Sequence, residues 1–234
     1  MNNRIIFIMS ILSGLSTLLG YFSIYIKNNR EKIICYSLAF SSGVMLSISI
    51  FDLSIESIKL LNSFLLFILF FILSFLITFL LNKNINNENS LYKVGFITMI
   101  GLILHNIPEG ILTYASYSIN SKLGISITTS IIMHNIPEGI SIAIPIYYST
   151  NSKYTALFYT LISSLAEPLG TVLSFIFIKR FINNYSIGIL FSLVSGIMVY
   201  ISIFELLKES KKYKYNNKLA FLIGFLFVLI SLIL

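Results

Sequence analysis

Residues 94–115 read VGFITMIGLILHNIPEGILTYA, and residues 124–148 read GISITTSIIMHNIPEGISIAIPIYY. Each run is long and apolar enough to cross a bilayer as a helix, which takes about 20 apolar residues. Each carries the heptapeptide HNIPEGI at its middle, at His105–Ile111 and again at His134–Ile140, 29 residues later. A strand reading fails, because membrane β-strands are segments of about ten residues with alternating polarity. Two consecutive spans run in opposite directions, so the two copies face each other as an antiparallel pair.

Working outward, the same pattern fills the chain. Eight apolar segments emerge, at about 5–26, 33–51, 61–81, 94–115, 124–148, 155–178, 187–207 and 219–234. Of the 234 residues, 56% are hydrophobic and only 11% charged, against about 25% charged in soluble domains. Too little polar surface remains to cover a water-soluble globule. This excludes a secreted disulfide scaffold, a nucleic-acid-binding domain and a large extramembrane enzyme domain. The reading is an all-α integral membrane protein of eight transmembrane helices, residues 1–234 forming one transmembrane domain. The run Ile5–Ile26 exceeds a signal-peptide core and reads as the first span. Connectors are short and rich in Asn, Lys and Ser, and heavy Ile, Asn and Lys usage gives the Asn runs no functional weight.

Cationic residues set the expected orientation. The N-terminus and the connectors after spans two, four and six carry five Lys and Arg. The connectors after spans one, three, five and seven carry the other eleven. The richer set belongs in the cytoplasm, which puts both termini outside and accounts for the net charge of +7 without an anionic partner. The lone cysteine, Cys35, allows no internal disulfide and falls at the cytoplasmic start of span two, where it is expected to report topology to a maleimide.

A second repeat links SGVMLSISIFDLSIES (Ser42–Ser57) to SGIMVYISIFELLKES (Ser195–Ser210), with ten of sixteen positions identical and Asp52 paired with Glu205. Span two runs outward and span seven inward, so this relation is also inverted. Inverted repeats around mid-membrane polar motifs mark the binding sites of secondary transporters.

The polar residues at mid-span are His105, Asn106 and Glu109 in span four, His134, Asn135 and Glu138 in span five, and Glu167 in span six. The i, i+4 spacing of His and Glu puts both on one helical face. Pro108 and Pro137 remove a backbone donor, and the expected result is an opened turn exposing the carbonyls of Leu104 and Met133. Pro168 after Glu167 repeats the device. Three ionised carboxylates at the bilayer centre cost on the order of 8–10 kcal/mol, and no Lys or Arg inside a span offsets this. Compensation must come from protons, water or an imported cation. Two imidazoles with three carboxylates suit zinc and neighbouring transition metals, whereas Mg²⁺ and Ca²⁺ favour oxygen alone.

The paired HNIPEG motifs, SLAEPLGT (Ser164–Thr171) and GIMVYISIFELLKES (Gly196–Ser210) resemble the ZIP (Zrt/Irt-like) metal-transporter family, close to its broad-range bacterial-type branch. The resemblance covers nearly all the chain. It implies eight helices in a 3+2+3 inverted-repeat bundle, a homodimer in the cell membrane, and import of zinc, iron, manganese or cadmium toward the cytosol. It also implies that His105, Asn106, Glu109, His134, Asn135, Glu138 and Glu167 are the metal ligands, the two PEG glutamates bridging two ions. Asn135 stands where some members carry Asp, Ile55 and Lys208 where Pro is usual, and Phe204 where a polar residue is common.

Flanking residues suggest a path. Asp52 and Glu56 lie toward the outer end of span two, Glu205 and Glu209 toward the inner end of span seven, and Met45 offers a thioether. Solvated helix ends with Glu56–Lys59 and Glu205–Lys208 pairs are the plainer reading of the acids, and packing is the plainer reading of Met45. The connector Asn82–Lys93 has no His, so metal sensing through it is not expected. A rival is an intramembrane metal-dependent hydrolase, but HExxH enzymes carry Glu after the first His, where this chain has Asn106 and Asn135. A metal-gated receptor leaves the inverted repeats unexplained.

Overall fold

The computed structural model describes residues 3–84, 89–181 and 183–233, and every regular element among them is helical. Residues 85–88 of the Asn82–Lys93 connector and Leu234 of the last expected span lie outside the described residues. Eight rods match the eight expected spans: α1 (Asn3–Tyr21, extended by a 3-10 turn, Phe22–Tyr25), α2 (residues 30–61), α3 (Phe64–Asn84), α4 (Ser90–Ile119), α5 (Ser121–Thr150), α6 (residues 153–181), α7 (residues 184–210) and α8 (Lys218–Ile233). Six are long and apolar enough to cross a membrane. The exceptions are α8, which is short, and α5, which has the length but too polar a composition. The polar residues of α5 divide between the buried His134, Asn135 and Glu138, which face neighbouring helices, and Ser126, Thr129 and Ser130, which line a cavity. By contrast α3 presents Leu65, Leu69, Ile72, Leu76 and Leu80 outward, as a lipid-facing helix does.

The asparagines dismissed as compositional have a local job. Asn29, Asn89, Asn120 and Asn183 cap α2, α4, α5 and α7, each accepting backbone N–H bonds from the first turn, a contribution of about 1 kcal/mol apiece. Asn62 and Asn151 end α2 and α5 in the left-handed region, at φ 49° and 54°, which Asn tolerates better than other residues bearing a Cβ. These caps keep the connectors short. Asn120 alone separates α4 from α5, so the two HNIPEG helices form a tight hairpin.

Packing follows the inverted repeat. Helices α1, α4, α5 and α6 form one group through the pairs α4–α5, α1–α5, α4–α6 and α1–α6; α2, α3, α7 and α8 form the other through α2–α8, α3–α7 and α2–α7. Exchanging α1 with α6, α2 with α7, α3 with α8 and α4 with α5 maps each pair onto another pair or onto itself. The groups meet where α2 crosses α5 and where α7 crosses α4.

Two features depart from the sequence reading. Helices α4 and α5 run unbroken through Pro108 and Pro137, so the expected opened turns do not form. A proline deletes one ladder bond, and in a membrane bundle tight neighbours hold the remaining turns. Only Pro168 interrupts its helix. The α6 rod comprises Lys153–Ser164 and Ala166–Phe181, broken at Leu165 beside the carbonyl of Ser164 that Pro168 leaves unbonded. Gly14 of α1 lies against that carbonyl and the Pro168 ring, and a Cβ there would strike both.

The second feature is a matched pair of π-helical turns, Ser49–Ser54 in α2 and Ile201–Leu207 in α7. Each sits at the same place in the second repeat. Ser42 Oγ donates to the carbonyl of Ser202 (2.9 Å), and Ser195 Oγ donates to the carbonyl of Ser49 (2.9 Å); these are equivalent bonds across the repeat. Cross-helix hydroxyls thus occupy backbone acceptors at both widened turns, and π turns of this kind cluster at functional sites.

Cys35 is fully buried, with its Sγ 3.7 Å from the carbonyl of Tyr215. The connector after α7 thus lies against the thiol, so a buried Cys35 is a poor topology reporter and exposed positions serve better.

Candidate metal centre

Every mid-span polar residue singled out in the sequence lies in the α1–α4–α5–α6 group, and all seven are at most 6% exposed. Because α4 and α5 are antiparallel, the two i, i+4 pairs interleave. His105 Nε2 is 3.1 Å from Glu109 Oε1 on its own helix and 3.2 Å from Glu138 Oε1 on the next. His134 Nε2 is 2.7 Å from Glu109 Oε1, and the ring centroids are 6.4 Å apart. Donor atoms of His105, Glu109 and His134 all fall within 4.8 Å of one another.

The amides and the third carboxylate flank this core. Asn106 Nδ2 donates to the carbonyl of Ser163 (3.1 Å), and Asn135 Nδ2 donates to the carbonyl of Ser13 (2.9 Å) and to Glu167 Oε2 (3.0 Å). Those bonds turn both amide oxygens away from the backbone contacts. Outside those contacts, Asn106 Oδ1, Asn135 Oδ1, Glu109 Oε2, Glu167 Oε1, Glu138 Oε2 and His105 Nδ1 have no hydrogen-bond partner. Buried polar atoms are almost always paired, because an unpaired one forfeits about 1–3 kcal/mol, more if charged. A cation bound among the carboxylates would satisfy several of these atoms at once, though not His105 Nδ1, which lies on the far side of its ring from Nε2. Zinc bonds of about 2.0–2.2 Å to imidazole and carboxylate place neighbouring tetrahedral ligands about 3.5 Å apart, close to the spacings of the core. The His105–Glu109–His134 group is thus able to hold a divalent transition metal.

Glycine sets how closely the walls approach. A Cβ on Gly110 would strike the carbonyl of Glu167, and one on Gly139 the carbonyl of Thr17. At these contacts the α4 and α5 backbones approach α6 and α1 closely, and the first of them carries Glu167 inward to the cluster.

The remaining sequence candidates divide. Asp52 and Glu56 line a cavity of about 730 Å³ whose other walls include Ser126, Thr129, Ser130 and Met133 of α5, and which reaches Glu109 and His134. Asp52 is half-buried; Glu56 pairs with Lys59 at 3.2 Å, as the solvated-end reading has it. At the opposite end, Glu205 and Glu209 line a smaller cavity of about 190 Å³ with Asn82, Ser90, Lys93, Lys208 and Lys212. Neither acid is a solvated helix end: they are 6% and 5% exposed. Asn82 donates to Glu205, Ser90 Oγ to Glu209 (3.1 Å), and Lys212 Nζ lies 2.6 Å from Glu209. Met45 is fully buried in the apolar core, as is Met198, its counterpart in the repeat. Sequence reasoning missed the polar wall of α5 at Ser126–Ser130, whose only signal was the excess of hydroxyls in an otherwise apolar run.

Comparison with known proteins places this architecture. Residues 82–232 match the family described as ZIP Zinc transporter. The chain is 32% identical to the zinc transporter ZupT of Clostridium perfringens, over 91% of this chain and 89% of that protein. It is likewise 32% identical to the zinc transporter ZupT of Streptococcus mutans, over 97% and 96% respectively. Against ZupT of Oceanobacillus iheyensis the identity is 31%, over 91% and 90%.

Proposed function

The chain belongs to the ZIP zinc transporter family, and from that premise we propose that it imports divalent transition-metal cations, zinc foremost, with iron, manganese and cadmium as further substrates. The family is one of transporters rather than enzymes, which sets the hydrolase reading aside. In this reading the cation is held by His105, Asn106, Glu109, His134, Asn135, Glu138 and Glu167. The observation that carries it is the buried group of His105, Glu109 and His134, whose ligand atoms lie within 4.8 Å of one another, with Glu138 3.2 Å from His105. No Lys or Arg occurs in residues 94–121, 123–152 or 154–178, so no internal cation can take the cargo's place. Zinc is favoured by two imidazoles beside carboxylates. The test is uptake of zinc into proteoliposomes, with iron, manganese and cadmium as competitors: accumulation is expected, and its absence from well-folded protein rejects transport.

The cargo approaches through the large cavity past Asp52 and Glu56 and leaves past Glu205 and Glu209. A carboxylate at the mouth of a cavity concentrates cations without shaping the central site. Asp52→Asn is therefore expected to raise KM for zinc about three- to ten-fold at low salt while leaving the maximal rate nearly unchanged. The effect shrinks at physiological ionic strength, where screening acts within about 8 Å. An unaltered KM at low salt removes Asp52 from the path.

In this reading the protein sits in the cell membrane as a homodimer, as the family resemblance implies, with both termini outside by the charge asymmetry of its connectors. Orientation is tested in a Cys35→Ser background with two cysteines at exposed positions, Lys59→Cys near Asp52 and Lys214→Cys at the other end. An impermeant maleimide is expected to label the first in intact cells and the second only after permeabilisation. The opposite pattern reverses the direction of transport.

A further inference from the structure

The two halves of the centre correspond contact by contact. Asn106 donates to the Ser163 carbonyl as Asn135 does to that of Ser13. Gly110 meets the carbonyl of Glu167 as Gly139 meets that of Thr17, and Gly170 meets the carbonyl of Ile107 as Gly20 meets that of Ile136. Residues 29 apart on α4 and α5 therefore answer to residues 150 apart on α1 and α6. Ser13 corresponds to Ser163, Gly20 to Gly170, and Thr17 to Glu167.

His105 meets Glu109 of its own helix at 3.1 Å, whereas no His134–Glu138 contact matches it, and the correspondence also fails at a position of different chemistry. Glu167 reaches Asn135, with 3.0 Å between carboxylate and amide. Its counterpart Thr17 is fully buried, and its Oγ1 has no hydrogen-bond partner. A threonine oxygen stands two bonds nearer the backbone than a glutamate oxygen, so it falls short of Asn106. On that side Asn106 Oδ1 and Glu138 Oε2 are also unpaired.

We propose that Thr17 is an eighth position of the cation site, the counterpart of Glu167, and that a hydroxyl there in place of a carboxylate limits the centre to one tightly held divalent cation. This rests on the reading that the cluster binds zinc. Glu109 and Glu138 together neutralise one divalent ion, and the remaining carboxylate, Glu167, already accepts the Asn135 amide. A second ion in the Thr17 half finds an amide oxygen, a shared carboxylate and a neutral hydroxyl. It lacks the fourth carboxylate that would balance it, and charge is expensive at this depth.

The test is zinc content per chain of the purified full-length protein after equilibrium dialysis at low free zinc, with affinity and uptake measured alongside. Wild type is expected to hold one zinc tightly. Thr17→Glu is expected to hold two, with maximal uptake lowered about ten-fold because release is slower. The transposed pair Thr17→Glu/Glu167→Thr should return to one zinc and recover most of the uptake that Glu167→Thr alone loses. Folded Thr17→Glu protein that binds one zinc with wild-type affinity overturns the proposal, as does tight binding of two zinc ions by wild type. Should the added carboxylate block folding, Thr17→Val decides. It keeps the shape and removes the oxygen, so zinc affinity is expected to fall about three- to ten-fold while Thr17→Ser binds like wild type. Wild-type affinity in Thr17→Val takes Thr17 out of the site. Wild type that binds no zinc at all rejects the metal-site reading itself, and this proposal with it.

Discussion

Glu138→Gln is expected to lower zinc uptake per folded molecule by at least about 100-fold, since losing even an outer-shell partner of a metal site typically costs 10–100-fold. Glu138 is fully buried, with Oε1 3.2 Å from His105 Nε2 and Oε2 without a partner. Glutamine keeps the shape but offers one neutral oxygen in place of a carboxylate, so it removes a ligand and a unit of charge together. Folding should not suffer, because a neutral amide is cheaper to place at mid-membrane than an ionised carboxylate. The same result is expected for Glu109→Gln, whose Oε1 touches both imidazoles. Binding should follow flux: zinc raises the melting temperature of wild type by mass action, and the Gln variants should gain little. A purely structural role for these glutamates predicts the reverse, with normal uptake per folded molecule and any loss confined to expression.

Gly110→Ala is expected to damage the fold itself. The added methyl meets the backbone carbonyl of Glu167 rather than a side chain able to swing aside, so α4 and α6 must separate. Overpacking a tight contact costs about 1–3 kcal/mol, and a backbone obstacle puts this case at the upper end. For a chain of this size that corresponds to a drop of about 6–12 °C in melting temperature. Gly139→Ala should behave alike, because its methyl meets the Thr17 carbonyl. Detergent-solubilised variants compared by thermal unfolding and size-exclusion chromatography give the answer. Wild-type stability in both would mean that the helices are not held as close as these contacts require.

The parts of this site that could be read from sequence are those written as side chains at fixed helical spacing. His105 with Glu109 and His134 with Glu138 had to share helix faces, and the inverted repeat had to bring those faces together. The link between Asp52 and Glu205 was equally legible, and the two acids do line cavities at opposite ends. What stayed hidden depends on packing between helices. The π turns at Ser49–Ser54 and Ile201–Leu207 contain no Pro or Gly, and what marks them is serine hydroxyls donated from the facing helix. Pro108 and Pro137 read as breaks because local chemistry alone would open the turn, yet both helices continue unbroken among their packed neighbours. The equivalence of Thr17 and Glu167 is faint in the letters, where one residue is a neutral hydroxyl and the other a carboxylate. It is plain in the glycine contacts that each makes.

The central claim, that the imported cation rests on these imidazoles and carboxylates, is tested most directly by X-ray absorption at the zinc edge on protein purified with zinc bound. The account predicts a first shell of nitrogen and oxygen at about 2.0–2.2 Å, with imidazole multiple scattering that weakens in His105→Ala and again in His134→Ala. An all-oxygen shell, or a spectrum unchanged by both substitutions, would contradict it.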